Sequence, residues 1–183
     1  MIHLIIFQTA SIYDGCSNQK KCFGYPEGCV KEQSCEMMAS LKLTKENTDV
    51  EITKNDPKRS YVAMAFSDDR LMGKDLVFAC SPSWSPENVI NVFWNKEGQA
   101  NEKLNDKKDL PKNPSVIYKD SLITCKFSLA NQLTIKGNKF DLEKGHYILL
   151  ATGSVNEDTL TYHATKMAST SMFGKNANTE GNS

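Results

Sequence analysis

The sequence predicts an all-β protein, an immunoglobulin-like antiparallel β-sandwich with a disulfide-fixed N-terminal loop cap. Three observations lead there. Short apolar or alternating runs recur along the chain, each bounded by turn-forming residues. No helical period of ordinary length is present. Six cysteines, an even number, supply the staples of a disulfide framework.

A chain of 183 residues is long enough for one domain with a real core. Lys plus Arg and Asp plus Glu number 22 each, so the net charge is zero. Nucleic acid is therefore not an expected partner, because a phosphate backbone calls for a basic surface. No window reaches the length of a membrane-spanning helix, so no membrane span is expected. Within residues 1–10, Leu4-Ile5-Ile6-Phe7 is apolar but lacks a basic flank and is short for a secretion signal. Residues 1–15 read as an N-terminal arm or a signal remnant.

Residues 16–36 carry Cys16, Cys22, Cys29 and Cys35, with Gly24, Pro26 and Gly28 among them. Such a segment cannot form a long helix or a central strand, so it reads as a loop cap held by disulfides. The spacing lacks the paired CxxC of common zinc sites, and histidines are scarce, which favours disulfides over zinc. Spacing leaves the three possible pairings of these four cysteines open.

The sandwich is expected over residues 37–172. Residues 36–43 form a strand with Met37, Ala39, Leu41 and Leu43 on one face. Asn55-Asp56-Pro57 is a turn. Residues 61–66 are apolar on both faces, as in a buried strand, and 76–80 resume that pattern. Between them, the short polar residues 67–70 turn the chain, and Leu71-Met72-Gly73 forms a loop tip on a rigid scaffold. Pro82 and Pro86 break the chain before a strand over 89–94. Residues 96–114 read as one long polar surface loop. A short strand at 116–118 and a turn at Lys119-Asp120 precede 122–128, where Ile123, Cys125 and Phe127 alternate inward. Cys80 and Cys125, each on an apolar strand face, are placed to bridge across the core. Residues 146–152 form a buried strand, 153–159 a polar hairpin loop, and 160–163 a further strand. Residues 173–183 read as a disordered tail.

Chemistry has few places to live. There is no phosphate-cradling glycine loop and no Gly-x-Ser-x-Gly elbow. Asp68-Asp69 shapes its turn. Trp84 and Trp94 are candidates for a sugar platform, with core packing as the commoner role. Met72 and His163 remain, each in a loop or at a strand end. A thioether and an imidazole on opposite sides of an iron porphyrin fill all six coordination positions. Such a centre suits electron transfer rather than oxygen activation, and the soft Met ligand raises its reduction potential.

The motifs Cys16-x5-Cys22-Phe23-x-x-Pro26-x-x-Cys29, Tyr61-Val-Ala-x-x-Phe-Ser-Asp-Asp69, Leu71-Met-Gly-x-Asp75, Ile123-Thr-Cys125-x-Phe127, Tyr147-Ile-Leu-Leu-Ala-x-Gly153 and Tyr162-His163 resemble the DOMON domain, with the likeness running to that of animal ferric-chelate reductase-like proteins. The resemblance covers roughly residues 16–170. It implies a secreted or extracellular-surface domain that binds haem b or a sugar. It implies Met72 and His163 as iron ligands; Met64 is a nearby alternative that would instead line the pocket, and Phe66 and Leu71 are expected as haem-wall residues of the cofactor-binding set. Arg70, Lys74 and Lys166 are placed to meet the haem propionates. The expected function is one-electron transfer by a b-type cytochrome domain toward a redox partner protein or a small-molecule electron acceptor, not self-sufficient enzymatic catalysis. Oligomerisation stays open. The alternative expectation is a haem-free extracellular interaction or sugar-binding module, or a structural subunit. Ferric-chelate reductase-like proteins join this domain to a membrane cytochrome; no such segment is expected within these residues.

Overall fold

Strand alternation sorts this chain into two sheets that share one apolar interior. The computed structural model describes residues 11–16, 18–55, 60–84, 90–96, 101–104, 111–135, 137–157 and 159–174. The strands are β1 (Lys21–Tyr25), β2 (Met37–Leu43), β3 (Asn47–Asn55), β4 (Ser60–Ser67), β5 (Leu76–Cys80), β6 (Asn91–Trp94), β7 (Glu102–Lys103), β8 (Lys112–Lys119), β9 (Leu122–Ala130), β10 (Gln132–Ile135), β11 (Asn138–Asp141), β12 (Tyr147–Asn156) and β13 (Thr159–Ala168). One sheet has the order β1-β2-β3-β9-β8 and the other β13-β12-β4-β5-β6-β7, while β10-β11 is a separate hairpin. Every strand pairing is antiparallel.

The core lies between the sheets. Met37, Ala39, Leu41, Val50, Ile52, Ile123, Phe127 and Leu129 come from the first sheet. Val62, Met64, Phe66, Leu76, Phe78, Val92, Ile148 and Leu150 come from the second. Each fully buried large side chain of this kind contributes on the order of 1.5–3 kcal/mol. Cys80 of β5 and Cys125 of β9 are bonded across this interior, as the two inward-facing cysteines predict. Leu133 and Ile135 of the β10–β11 hairpin, with Leu142 beyond it, close one end.

The cap is fixed by Cys16–Cys22 and Cys29–Cys35, one of the three pairings that spacing leaves open. It is more regular than a loop. β1 adds an edge strand to β2, and residues Cys29–Glu32 make one helical turn, α1. Gly24 sits in β1 because a side chain there would strike the sulfurs of the Cys29–Cys35 bridge. Met38 packs into the cap from β2, so both faces of that strand are buried.

Several expectations change. β3 was not anticipated, although Thr48, Val50 and Ile52 are buried and alternate with the more accessible Asp49 and Glu51. The surface loop expected over 96–114 contains β7 and the start of β8 in its described parts. Polar residues suit these positions because β7 and β8 lie at sheet edges, with β7 half-buried and β8 nearly all exposed. Most of the hairpin loop expected over 153–159 is strand instead, because β12 continues to Asn156 and β13 begins at Thr159, its paired partner. Its one serine and one threonine, Ser154 and Thr159, are exposed positions of paired strands. The packed chain continues to Phe173, which is buried and bridged to His146. Residues 1–10 of the proposed arm and 175–183 of the proposed tail lie outside the described residues.

Candidate functional site

The second sheet buries its inner face in the core, and its outer face carries a hollow. Three cross-strand rows define that face. Ala168, Leu149, Ala65, Val77 and Phe93 form the first, and Lys166, Ala151, Ala63 and Ala79 the second. His163, Gly153 and Tyr61 form the third. The middle row contributes three methyl side chains, and Gly153 contributes none. This small-residue floor leaves a cavity of about 550 Å³. That volume falls within the roughly 300–1,000 Å³ of pockets that enclose small ligands and cofactors.

Met72 and His163 both line this cavity. Met72 arrives on the loop between β4 and β5, and two carboxylates hold that loop. The Leu71 amide donates to Asp69 Oδ1 at 2.7 Å, and the Gly73 amide donates to Asp75 Oδ2 at 2.7 Å. His163 arrives on the edge strand β13 through two irregularities of pairing. From Thr152 to Gly153 the partner moves two residues, from Thr165 to His163. From Gly153 to Val155 it moves three, from His163 to Leu160. Each shift is a bulge that turns the next side chain over. As a result Leu160, His163 and Lys166, three residues apart, all reach one cavity that strict alternation would deny to His163.

The electrostatics follow from burial. His163 Nε2 is closed to water and has no hydrogen-bond partner. Its imidazole is held below the usual histidine range by desolvation and then by the nearby Lys166 charge. It is therefore neutral near pH 7, with a lone pair available to a metal. The Tyr162 ring stacks on the imidazole with centroids 4.2 Å apart. Burial pushes the Tyr61 hydroxyl up to about 12. It also pushes the Asp75 carboxyl up, against hydrogen bonds from Ser67, Gly73 and Asn95 that pull it down.

The other expected site residues are placed as follows. Phe66 lies on the inner face of β4, in the core, and does not line the cavity. Leu71 is 73% exposed and does not line it. Met64 touches the cavity, but its side chain belongs to the inner core. Strand parity explains Met64 and Phe66: Ala63 and Ala65 occupy the outward positions between them. Of the three cations, Lys166 lines the cavity and Arg70 and Lys74 do not; Lys96 does. Trp84 is buried, with its Nε1 donating to the Glu157 carbonyl at 3.1 Å, and Trp94 packs on Phe140. Neither ring is a free platform for a sugar. His146 is spoken for elsewhere, between Asp68 and the Asp141 carbonyl. Asp75, Gly153 and Tyr61 stood in the motifs without an assigned role; the rare glycine inside a strand was the signal for the bulge.

The donor set fits a haem. One thioether and one neutral imidazole share a cavity with a flat, small-residue floor, and the imidazole nitrogen lacks any other partner. All six cysteines are in disulfides, so none is left for covalent attachment through thioether bonds. Among the described residues, no group of three or more His, Cys, Asp or Glu is placed to hold a metal ion.

No family model matches the chain. It is 28% identical over 164 residues to a protein of Drosophila melanogaster named as a homolog of ferric-chelate reductase 1, covering 88% of this chain and 25% of that protein. It is 26% identical over 153 residues to human ferric-chelate reductase 1, covering 81% of this chain and 24% of that protein. The chain is similar to a DOMON domain of the ferric-chelate reductase kind. A third relative, the human DOMON domain-containing protein FRRS1L, is 26% identical over 154 residues, 82% of this chain and 50% of its own length. The chain thus spans about a quarter of the length of the reductase relatives it matches. The DOMON-like domain carries three disulfides, which fit an oxidising compartment. Among the described residues no helix is long and apolar enough to cross a membrane.

Proposed function

We propose that this DOMON-like chain is a secreted or extracellular-surface b-type haem domain that works in one-electron transfer, with Met72 and His163 as the residues that would hold the iron. The observation that carries the reading is the meeting of these two residues, distant in sequence, in one cavity where His163 Nε2 is otherwise unpartnered. A haem held there supplies a one-electron iron couple with no coordination position open to oxygen. Met72 supplies a soft sulfur that favours the reduced state. His163 supplies a neutral nitrogen. Ala63, Ala65 and Ala151 let a flat ring approach the sheet, and Lys166 and Lys96 offer positive charge to acidic groups on the ligand. The reductase names of the relatives support a redox role, with a partner protein or a small-molecule acceptor receiving the electron.

The absorption spectrum of the purified chain, after addition of haemin, tests this. A sharp Soret band with a reduced-minus-oxidised change of low-spin type is expected. A spectrum no different from free haemin defeats the proposal and leaves a haem-free binding module.

A further inference from the structure

We propose that Asp75 is the positioning residue for Met72, its carboxylate fixing the backbone beside the thioether through the Gly73 amide and coupling that backbone to Asn95 at the cavity wall. The inference rests on the reading of Met72 as a ligand. Its basis is the way the 67–75 loop is held. Leu71 is 73% exposed and Met72 36%, so apolar packing cannot fix the loop tip. Hydrogen bonds must do so.

Asp75 is 1% exposed, a position where a carboxylate is costly unless its oxygens are satisfied. They are satisfied from three directions. Gly73 N–H donates at 2.7 Å, and the Ser67 and Asn95 side chains also hydrogen-bond to the carboxylate. The main chain repeats the link to Asn95. Lys74 N–H donates to the Asn95 carbonyl at 2.9 Å, and Asn95 N–H donates to the Asp75 carbonyl at 3.0 Å. Gly73, at φ 154, and Lys74, at φ 61, bring the chain from the exposed tip back into β5 within two residues. A buried strand start has no need of an anion. A bent loop that must present one sulfur at a fixed place needs an acceptor with more than one oxygen. Asn at this position keeps the shape but turns an NH2 group toward donors.

The test compares wild type, Asp75→Asn and the core variant Ile52→Val on the opposite sheet. In the protein without haemin, Asp75→Asn is expected to speed exchange of the Gly73 amide by on the order of tenfold. It is also expected to sharpen the Met72 methyl resonance toward that of a free side chain, with the amides of β12 unchanged. With haemin, the strongly shifted methyl signal of a ligating Met72 is expected to weaken or vanish while the His163 ligand signals persist. Should Asp75→Asn fail to fold, Ser67→Ala removes one donor and is expected to shift the same signals to a smaller extent. Unchanged Gly73 exchange and Met72 signals, or equal changes in Ile52→Val, overturn the proposal. Absence of haemin binding in wild type defeats only the haem reading; the haemin-free signals still decide the role of Asp75.

Discussion

Gly153 faces His163 across β12 and β13 at the one paired position between two register shifts. The pairing is close. A Cβ on residue 153 would lie 2.9 Å from the Tyr162 carbonyl oxygen, 3.0 Å from the Tyr61 ring and 3.1 Å from the His163 Cα. Two of those neighbours are backbone, which cannot swing aside. Gly153→Ala is therefore expected to destabilise the fold by about 1–3 kcal/mol, as for overpacking in a tight site. It should also displace His163. A denaturant midpoint unchanged from wild type would contradict the first expectation, and an unchanged haemin spectrum the second.

Met72 and His163 are expected to differ in what they control. His163→Ala removes the sole nitrogen assigned to the iron, so haemin retention should be lost or greatly weakened. Met72→Ala should leave a five-coordinate, high-spin spectrum with weaker retention and a lower reduction potential. Spectra and redox titration of the two variants check this. Wild-type spectra from both would remove these residues from the site.

The three disulfides should separate by accessibility. Cys80 and Cys125 are fully buried, whereas Cys16 and Cys22 are partly accessible. Mild reductant is expected to open Cys16–Cys22 first and Cys80–Cys125 only on unfolding. Loop-closure entropy puts the loss of Cys80–Cys125, at a sequence separation of 45, at about 4 kcal/mol, and each cap bridge, at a separation of 6, at about 2 kcal/mol. Mass spectrometry of alkylated protein, with melting curves for Cys→Ala pairs, measures both.

The protonation of His163 gives a signed pH effect. Its folded value lies below the usual 6.5, through desolvation first and Lys166 second. Between that lowered value and 6.5 the unfolded chain binds the extra proton. Stability is then full above 6.5 and falls as pH drops through this window. Lys166→Gln should move the His163 titration part of the way back toward 6.5, since burial remains. NMR titration of the imidazole protons reads both; a midpoint at or above 6.5 in wild type would refute the expectation.

The sequence by itself determined the all-β class and the inward faces of β2, β5 and β9, and it placed Cys80 and Cys125 for a bridge across the core. Those features follow from alternation and apolar content, which are local properties. It also singled out Met72 and His163 as chemistry-bearing residues, and its motifs carried the family likeness that the relatives bear out. Only tertiary structure decided that the two share a cavity, and that this cavity lies on the outer face of the second sheet. The physical reason is the pairing of β12 with β13. Two bulges there turn His163 to the face of Gly153, and a register shift depends on which residues meet across strands rather than on neighbours in sequence. The same dependence put Phe66 in the core: both faces of β4 are apolar, so composition could not say which face would meet the other sheet.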